Sequence, residues 1–562
     1  MPGAAVGSSR GTSVVLLAWL LAAYLIFSLF YAWVLVNHDY EAEYLAIGNL
    51  AIRGQISLYQ PEMTGQWMPL PFYVYGVTQV LFGPSLLPAR LLSVALGGAA
   101  LVLVFLLASR WGGPVAGTAA AALFCTHGLV AGYYATAHFS SLTALLHLAG
   151  IYILFCTEWR WRDVICMAVL SLLFLTKPHY WPTLPFALVF LLWRAPSFSA
   201  RAAVTAAAAA VPVLFFVSDW HHIKIFAYMP IVRDWVAPLG YYSWHTLMED
   251  PAHVWTSDYV DIGWDATPGG RLVLIARSFA FFLKRYAVWM AALAGLALLR
   301  LWQWRAGGNG RGLWGPPGLR FTFWLFWYVV AWQFVIVGPY IKQGFAYVGA
   351  VAPLLATVLG WLFATAWQGP GLPRALRAAA LVGMILALVV SPWVHRQHYL
   401  PRRISPSEAA VPVLRTLAGR LAAIVPAGEK RVFLLGDPLP LHLAGRQSYL
   451  RQFHQHLMVF TSVRDQSRYI RAGMWGRAEM EEWLGDDAQY AILQESVVRF
   501  YGGRAPYRDI IARMDELLAR NFTLVATLKG IGGDRFLVYR RTRAAAYAVP
   551  GTAPAPSHQT EI

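Results

Sequence analysis

The sequence predicts a mainly α-helical, polytopic membrane protein, in which about eleven transmembrane helices are followed by a small external α/β domain. Hydrophobic residues make up 58% of the 562 residues and charged residues only 13%, about half of the usual charged share. So few charges cannot cover the surface of a water-soluble chain of this length. Much of the surface must therefore contact lipid, and the apolar residues do fall in runs long enough to cross a bilayer.

The first apolar run extends from Ser13 to Val36 and is too long for the core of a signal peptide. No small-residue cleavage site follows it before Asn37, so it is interpreted as a retained transmembrane helix. Ten further runs have the composition of membrane spans: 90–109, 115–137, 140–157, 163–180, 182–194, 202–218, 281–302, 320–338, 346–367 and 376–396. The run 182–194 is short for a bilayer. If it forms a re-entrant pair with 163–180, the sidedness of the other spans is unchanged.

The placement of arginine predicts how these spans are oriented. With the N-terminus in the cytoplasm, the short cytoplasmic segments are rich in arginine, and only Glu158 and Asp163 oppose it. These arginines are Arg10, Arg110, Arg160, Arg162, Arg194, Arg201, Arg300, Arg305, Arg311, Arg320, Arg374 and Arg377. The two long loops on the other side, 37–89 and 219–280, are acidic or mixed, as the positive-inside rule expects. This asymmetry accounts for the net charge of +17 without a nucleic-acid partner.

The odd number of spans places the C-terminal part outside, in the periplasm if the membrane is a bacterial inner (plasma) membrane. Residues 1–397 then form the transmembrane domain, 398–542 the external domain, and 543–562 a tail rich in Ala, Pro and Ser that is predicted to be disordered. The predicted strands of the external domain are 431–436, 490–494, 522–528 and 535–540, and its predicted helices lie near 406–424, 477–484 and 508–520. The loop 219–280 has several prolines and no long regular period, which predicts a mobile lid.

Motifs for other kinds of chemistry are absent or out of context. Gly310, Gly312 and Gly315 match a dinucleotide-binding motif, but no strand precedes them and they lie in a short loop between two spans. The chain has no Walker A motif, and its three cysteines have neither metal-ligand nor disulfide spacing. The histidines of the external domain that could bind a metal lack a regular spacing and are interpreted as surface residues: His442, His454 and His456.

The first external loop carries the strongest signal for a functional site. It begins with Asp39, Glu41 and Glu43, three carboxylates within five residues at a membrane surface, where charges are costly unless they serve a function. Residues 40–53 have helical periodicity, and this helix is expected to end at Gly54. Asp39 stands where an N-cap belongs. From the local pattern alone, capping is the simpler role for Asp39, and a catalytic role is the alternative.

The order of features in this loop resembles a known family. Asp39 precedes Gly54 by fifteen residues, a Pro-Leu-aromatic segment follows, and residues 81–97 read LFGPSLLPARLLSVALG. This arrangement resembles the first loop of the polytopic GT-C glycosyltransferases, in particular the protein O-mannosyltransferases and the lipid A aminoarabinose transferases. Here the usual Asp-Glu pair is Asp39-Tyr40, so the second acid is Glu41 or Glu43.

The resemblance extends over most of the chain. Its later landmarks are Phe139-Ser140-Ser141, Lys177-Pro178, the segment from Tyr347 to Pro353, and VFLLGDPLPLHLAGRQ at 432–447. Two cations of the family are replaced: Trp67-Met68 stands where a Lys is common, and Ala346-Tyr347 where Arg-Tyr is common. The donor phosphate must therefore find other partners in this chain.

The resemblance implies an inverting transfer of a sugar from a polyprenyl-phosphate-linked donor to a lipid, glycan or protein acceptor at the external face. Such a displacement needs a general base for the acceptor hydroxyl and cations for the departing phosphate. Asp39 is the candidate base, with Glu41 and Glu43 as the other catalytic candidates. Lys177 and Lys342 are the candidate phosphate ligands, each near the outer end of a span, although snorkelling to the headgroups would also explain them.

Weaker candidates for the donor phosphate site are His138 and Tyr347, for which helix packing is the simpler explanation. No cofactor is certain, and a divalent metal held by Asp39, Glu41 and His138 is an open alternative. Three other functions also stay open, of which the simplest is a non-catalytic scaffold built on the domain 400–541. A polytopic transporter or flippase would use charges midway along its spans. An O-antigen ligase or polymerase would carry Arg and His in a large, late external loop and would lack the early Asp loop.

Overall fold

The computed structural model describes residues 6–36, 39–58, 68–219, 268–305, 315–334, 347–369, 372–399, 408–453, 475–503 and 507–542. The side chains of Asp39 and Tyr40 lie outside this description, as do Lys342, most of the predicted lid and the predicted disordered tail. In the described part, a helical membrane domain is followed by a small α/β domain. The predicted fold class is therefore confirmed.

Fourteen helices form the described part of the membrane domain. They are α1 (Val6–Val34), α2 (Asp39–Ile52), α3 (Pro69–Phe82), α4 (Leu86–Thr126), α5 (Gly128–Tyr133), α6 (Phe139–Cys156), α7 (Arg162–Ser171), α8 (Thr183–Arg194), α9 (Phe198–Asp219), α10 (Pro268–Arg285), α11 (Ala287–Arg305), α12 (Pro317–Trp332), α13 (Ala352–Gln368) and α14 (Arg374–Tyr399). Each of the eleven predicted spans overlaps one of them.

Six of the described helices contain a segment long and apolar enough to cross a membrane. These segments are Ser13–Val34, Leu86–Thr126, Phe139–Cys156, Phe198–Phe215, Ala287–Arg305 and Arg374–Pro392. Two shorter helices, α8 and α13, are also apolar. Helix α13 crosses α4 closely, because a Cβ at Gly360 would lie only 2.5 Å from the carbonyl oxygen of Ala116. Small residues allow membrane helices to approach in this way.

The boundaries of four predicted spans were wrong. The runs 90–109 and 115–137 belong to one element, α4, which is kinked at Gly113 (φ 78) before Pro114 and ends at Thr126. A left-handed glycine followed by a proline interrupts the helical hydrogen bonds, which hydrophobicity alone does not reveal. The run 163–180 leaves α-helical geometry after Ser171 and continues as 3₁₀ turns at Leu172–Leu175 and Pro178–Tyr180.

The third difference lies at the end of the predicted lid. Residues 268–285 form helix α10 and are followed by α11, whereas the predicted span 281–302 crosses the boundary between the two. Part of the segment predicted to lack regular structure is therefore helical. Its proline, Pro268, is compatible with this because it lies at the first position of the helix.

The C-terminal domain, called the external domain after its predicted location, is built around a mixed four-stranded sheet. Its strands are β1 (Val432–Leu435), β2 (Tyr490–Gln494), β3 (Phe522–Lys529) and β4 (Arg535–Arg541), in the spatial order β1-β2-β4-β3. Strands β1 and β2 are parallel, and the other two pairs are antiparallel. All four strands agree with the sequence prediction to within one residue at each end.

Five helices pack around this sheet: α15 (Ala410–Ile424), α16 (Leu439–Leu443), α17 (Arg477–Glu482), α18 (Glu495–Gly502) and α19 (Arg508–Asn521). The short helices α16 and α18 were not predicted. Helix α16 packs against α2, and Nε2 of His442 lies 3.2 Å from Oε1 of Gln79 in α3. This contact places the external domain and the first loop on the same side of the helical bundle.

Candidate functional site

Helices α2 and α3 form a tightly packed pair over the membrane domain. Helix α3 begins with Pro69, a favourable first helical position for proline. The two helices cross at a pair of glycines, because a Cβ at Gly76 would lie 2.5 Å from the carbonyl carbon of Gly48. Tyr44 of α2 packs edge-to-face on Phe72 of α3, with ring centroids 5.1 Å apart. This packing holds the acid-rich start of α2 against the bundle.

Glu41 is buried in an ion pair with Arg90 of α4. Arg90 Nε donates to Glu41 Oε1 at 2.9 Å and Nη2 donates to Oε2 at 2.6 Å, and both side chains are fully buried. The backbone N–H of Ala137 also donates to Oε1, at 2.7 Å. Arg90 Nη1 donates to the carbonyl oxygens of Ala32 and Leu35, each at 2.9 Å. Both carboxylate oxygens of Glu41 are thus bonded within the protein.

Lys177 lies in a cage of aromatic rings. Its ammonium is 4.5 Å from the ring centroid of Phe139 and 4.3 Å from that of Tyr347, and it donates a hydrogen bond to the Tyr347 hydroxyl at 3.2 Å. The side chain is 2% exposed. The hydroxyl of Tyr180 donates to the backbone oxygen of Tyr347 at 2.8 Å, which fixes the cage from a second side. Snorkelling to the headgroups does not describe this lysine, because its charge lies inside the protein.

Glu43 supplies negative charge near this lysine. Its carboxylate is 6% exposed and lies within electrostatic range of the Lys177 ammonium. Of all the described residues, five acidic or basic side chains other than histidine are buried: Glu41, Glu43, Arg90, Lys177 and Arg300. The first four of these belong to the elements that meet around the start of α2. Buried charges at this density are typical of functional sites, and they make this region the candidate site.

His138 and Tyr347 have clear structural roles. His138 caps helix α6: its Nδ1 lies 2.8 Å from the Ser140 hydroxyl and accepts from the Ser140 N–H at 3.4 Å. Its ring stacks on Tyr133, with centroids 4.6 Å apart. The hydroxyl of Tyr75 donates to the backbone oxygen of His138 at 2.6 Å. Tyr347 forms one wall of the lysine cage, and both rings lie beside Phe139, with centroid distances of 4.0 Å for His138 and 5.8 Å for Tyr347.

Comparisons with known proteins identify the fold. No family model matches the sequence, and no curated protein matches it. Among solved structures, ArnT from Cupriavidus metallidurans bound to undecaprenyl phosphate matches with a TM-score of 0.54 and 14% identity, over 94% of this chain and 98% of that one. The chain has a GT-C-like fold.

Two further structures match the chain with lower scores. ArnT from Cupriavidus metallidurans in the apo state has a TM-score of 0.42 at 13% identity, covering 95% of this chain and 98% of that one. The oligosaccharyltransferase of Archaeoglobus fulgidus has a TM-score of 0.45 at 11% identity, covering 88% of this chain and 70% of that one. Both scores are below 0.5, and the fold assignment rests on the first structure.

In this GT-C-like chain, sequence reasoning missed two residues of the site. Arg90 received no role, although an arginine at the predicted external end of an apolar run departs from the positive-inside pattern and implies a buried acidic partner. His179 was also passed over. Its ring centroid lies 4.1 Å from that of Tyr347, and its buried Nδ1 has no hydrogen-bond partner among the described residues. The proximity of His179 to the cage comes from the 3₁₀ turn at Pro178–Tyr180.

The predicted metal set is not supported by the described residues. In the described ranges, no three His, Cys, Asp or Glu side chains are grouped so that they could hold a metal ion. Both oxygens of Glu41 are occupied by Arg90 and Ala137, and Nδ1 of His138 is engaged with Ser140. Glu41 and the Nδ1 atom of His138 are therefore engaged by other groups of the protein, and the side chain of Asp39 lies outside the described residues.

Proposed function

We propose that this chain is an integral-membrane inverting glycosyltransferase that transfers a sugar from a polyprenyl-phosphate-linked donor to an acceptor at the external face of the membrane. The GT-C-like fold supports the class of enzyme. The ArnT structure that matches with a TM-score of 0.54 contains undecaprenyl phosphate. This supports a polyprenyl phosphate as the carrier of the sugar in the donor. The observation that carries the proposal is the buried lysine in an aromatic cage beside an acid-rich helix.

Lys177 binds the phosphate of the donor in this proposal. A buried ammonium is unfavourable unless an anion compensates it. Glu43 provides that anion while the donor is absent, and the phosphate provides it when the donor binds. Lys342 is a second candidate for the phosphate, and it lies outside the described residues. The Phe139 and Tyr347 rings hold the ammonium in one place and exclude water, which strengthens its attraction for the phosphate.

Asp39 is the general base in this proposal. The acceptor hydroxyl attacks the anomeric carbon, its proton passes to the Asp39 carboxylate, and the bond from that carbon to the phosphate oxygen breaks with inversion. The electron pair of that bond leaves with the polyprenyl phosphate, whose charge Lys177 stabilises. Helix α2 begins at Asp39, and the position of this residue at the start of the acid-rich helix supports its proposed role. Glu41 is not proposed as the base, because Arg90 occupies both its oxygens.

The acceptor is a lipid, a glycan or a protein that reaches the site from the external compartment, proposed as the periplasm of a bacterial inner membrane. The contact of His442 with Gln79 supports part of this topology, because it places the first loop and the external domain on one side. The transporter alternative gains no support from the described residues. Their five buried charges other than histidine lie near the ends of helices and not midway along spans.

Replacing Lys177 with Met tests the donor site. Met keeps an apolar stem in the cage and removes the charge. A charge-assisted contact contributes roughly 1.5–3 kcal/mol, so affinity for the donor should fall by about tenfold or more. The measurement is the binding of polyprenyl phosphate to the purified protein, together with transfer from a polyprenyl-phosphate-linked sugar.

Lys529→Met is the matched control, because Lys529 is exposed on strand β3 of the external domain. It should bind and transfer like the wild-type protein. Unchanged donor binding in Lys177→Met would remove the phosphate role of this lysine. If Lys342→Met alone lowered affinity, the phosphate site would belong to that residue instead.

A further inference from the structure

The guanidinium of Arg90 connects the end of α1 with the start of α2, the helix that begins at Asp39. On one side it donates to the carbonyl oxygens of Ala32 and Leu35, where α1 ends. On the other side it holds the carboxylate of Glu41, in the first turn of α2. Asp39 lies between Leu35 and Glu41 in the sequence, two residues from the acid that Arg90 binds.

The same ion pair reaches the donor side of the site. Glu41 Oε1 accepts a hydrogen bond from the N–H of Ala137, directly before the start of helix α6. Helix α6 begins with Phe139, whose ring centroid is 4.5 Å from the Lys177 ammonium. One ion pair therefore connects the segment of the proposed base with the wall of the proposed phosphate site.

The energetics argue that this pair does more than stabilise the fold. Removing two charges from water costs several kcal/mol per ion, and well-packed apolar residues of similar volume are often at least as stable. An arginine fixes the relative position of its partners, because its planar guanidinium binds a carboxylate through two parallel hydrogen bonds and can donate to other acceptors as well. A lysine can supply the charge but not this fixed arrangement.

We propose that Arg90 is a positioning residue, which sets the Asp39 carboxylate against the donor bound at Lys177 through Glu41 and the carbonyl oxygens of Ala32 and Leu35. This inference rests on the proposed function. A displacement of about 1 Å between reacting groups can cost on the order of 10² in rate. Losing the fork of Arg90 should thus slow the chemical step while the phosphate site remains intact.

The test is Arg90→Lys in the full-length protein, with transfer kinetics, polyprenyl phosphate binding and thermal unfolding measured on the same preparation. The expected result is a kcat lowered by about tenfold or more, with KM for the donor and the dissociation constant for polyprenyl phosphate within about twofold of wild type. Hydrogen exchange of the peptide that carries Asp39 should increase. Arg300→Lys is the matched control, since Arg300 is also buried but lies in α11, with its guanidinium over the Trp361 ring.

A second variant keeps the test decisive if Arg90→Lys does not fold. Glu41→Gln keeps one oxygen for Arg90 and Ala137 but loses the second Arg90 bond, so it should lower kcat by less than Asp39→Asn does. A loss equal to that of Asp39→Asn would make Glu41 the base and overturn the inference. A wild-type kcat in Arg90→Lys would also overturn the inference. So would a decrease in kcat that disappears once the rate is corrected for the fraction of folded protein. Failure of the proposed function is distinguishable, because the wild-type protein itself would then show no transfer from a polyprenyl-phosphate-linked sugar.

Discussion

The same kinds of charged residue form two very different sets of contacts in the two domains. In the external domain, Arg535 pairs with Glu495 at 2.5 Å, with side chains 55% and 24% exposed. In the membrane domain, Arg90 pairs with Glu41 at 2.6 Å, and both side chains are 0% exposed. The distances are nearly equal, and the surroundings differ completely.

This difference in surroundings separates contacts that contribute little from contacts that constrain the chain. An exposed pair exchanges water for a partner and gains little, because water screens both charges. A buried pair cannot return to water, so the loss of either partner leaves an uncompensated charge inside the protein. We therefore expect substitutions around Glu41, Arg90 and Lys177 to have large and specific effects, and substitutions of external pairs to have small ones.

The largest effect is expected for Asp39→Asn. Asn caps helices about as well as Asp, so a purely capping role predicts little change in folding or activity. A base role predicts normal expression and normal donor binding, with transfer reduced by about 10² or more, because Asn cannot take the proton of the acceptor. The measurement is in vitro transfer by purified protein with a polyprenyl-phosphate-linked sugar.

Asp163→Asn provides the control for this substitution, since Asp163 lies in the first turn of another membrane helix, α7. Transfer by the control should equal that of the wild type. If Asp39→Asn turned over at a near-native rate, the base assignment would be lost, and Glu43 would be the next candidate because Arg90 already occupies Glu41.

An intermediate effect is expected at His442, where the two domains meet. The sequence suggested a surface histidine, but His442 is buried against Gln79, and this burial lowers its pKa to about 4. In the unfolded chain, the pKa of a histidine is about 6.5. Because the folded pKa is the lower one, neutral His442 contributes its full stability above about pH 6.5, and this contribution is lost as the pH falls towards 4. The loss is about 2 kcal/mol at pH 5.

Thermal unfolding of the wild type and of His442→Gln between pH 7.5 and 4.5 tests this expectation. Gln can still donate to the Gln79 oxygen but does not titrate in this range. The difference in unfolding midpoint between the two proteins should therefore shift in favour of the variant as the pH falls. A difference that stays constant across the range would show that His442 does not titrate with folding.

The smallest effect is expected for the exposed pairs of the external domain. Arg535→Ala removes both hydrogen bonds to Glu495, yet solvent already screens this pair. Its unfolding midpoint and its transfer rate should be indistinguishable from those of the wild type. A marked loss of activity in Arg535→Ala would break the distinction between the two domains and would point to a functional role for this face of the sheet.

The secondary structure was largely predictable where a local pattern determines it. The four strands of the external domain appear within one residue of their predicted ends, because short apolar runs bounded by turn residues are a local signal. The predictions were least accurate where the backbone changes type inside an apolar run. Hydrophobicity does not reveal the kink at Gly113 or the 3₁₀ turns around Lys177, because apolar residues continue on both sides of each.

The candidate site was predictable only as a list of unusual residues. Asp39, Glu41, Glu43 and Lys177 stood out because charge at a membrane surface is costly. Their individual roles did not follow, since three neighbouring acids look alike in a sequence. The structure separates two of them: Glu41 is bound by Arg90, whereas Glu43 lies within electrostatic range of Lys177.

The sequence by itself determined the membrane class, most of the membrane helices, the four strands of the external domain and the loop that carries the acids, because these depend on composition and on periodicity within short windows. Only the tertiary structure decided which residues are partners. Arg90 reaches Glu41 across 49 positions, Lys177 reaches Tyr347 across 170, and His442 reaches Gln79 across 363. Such pairs depend on how distant helices pack against one another, and a packing arrangement is a property of the whole chain rather than of any local pattern in it.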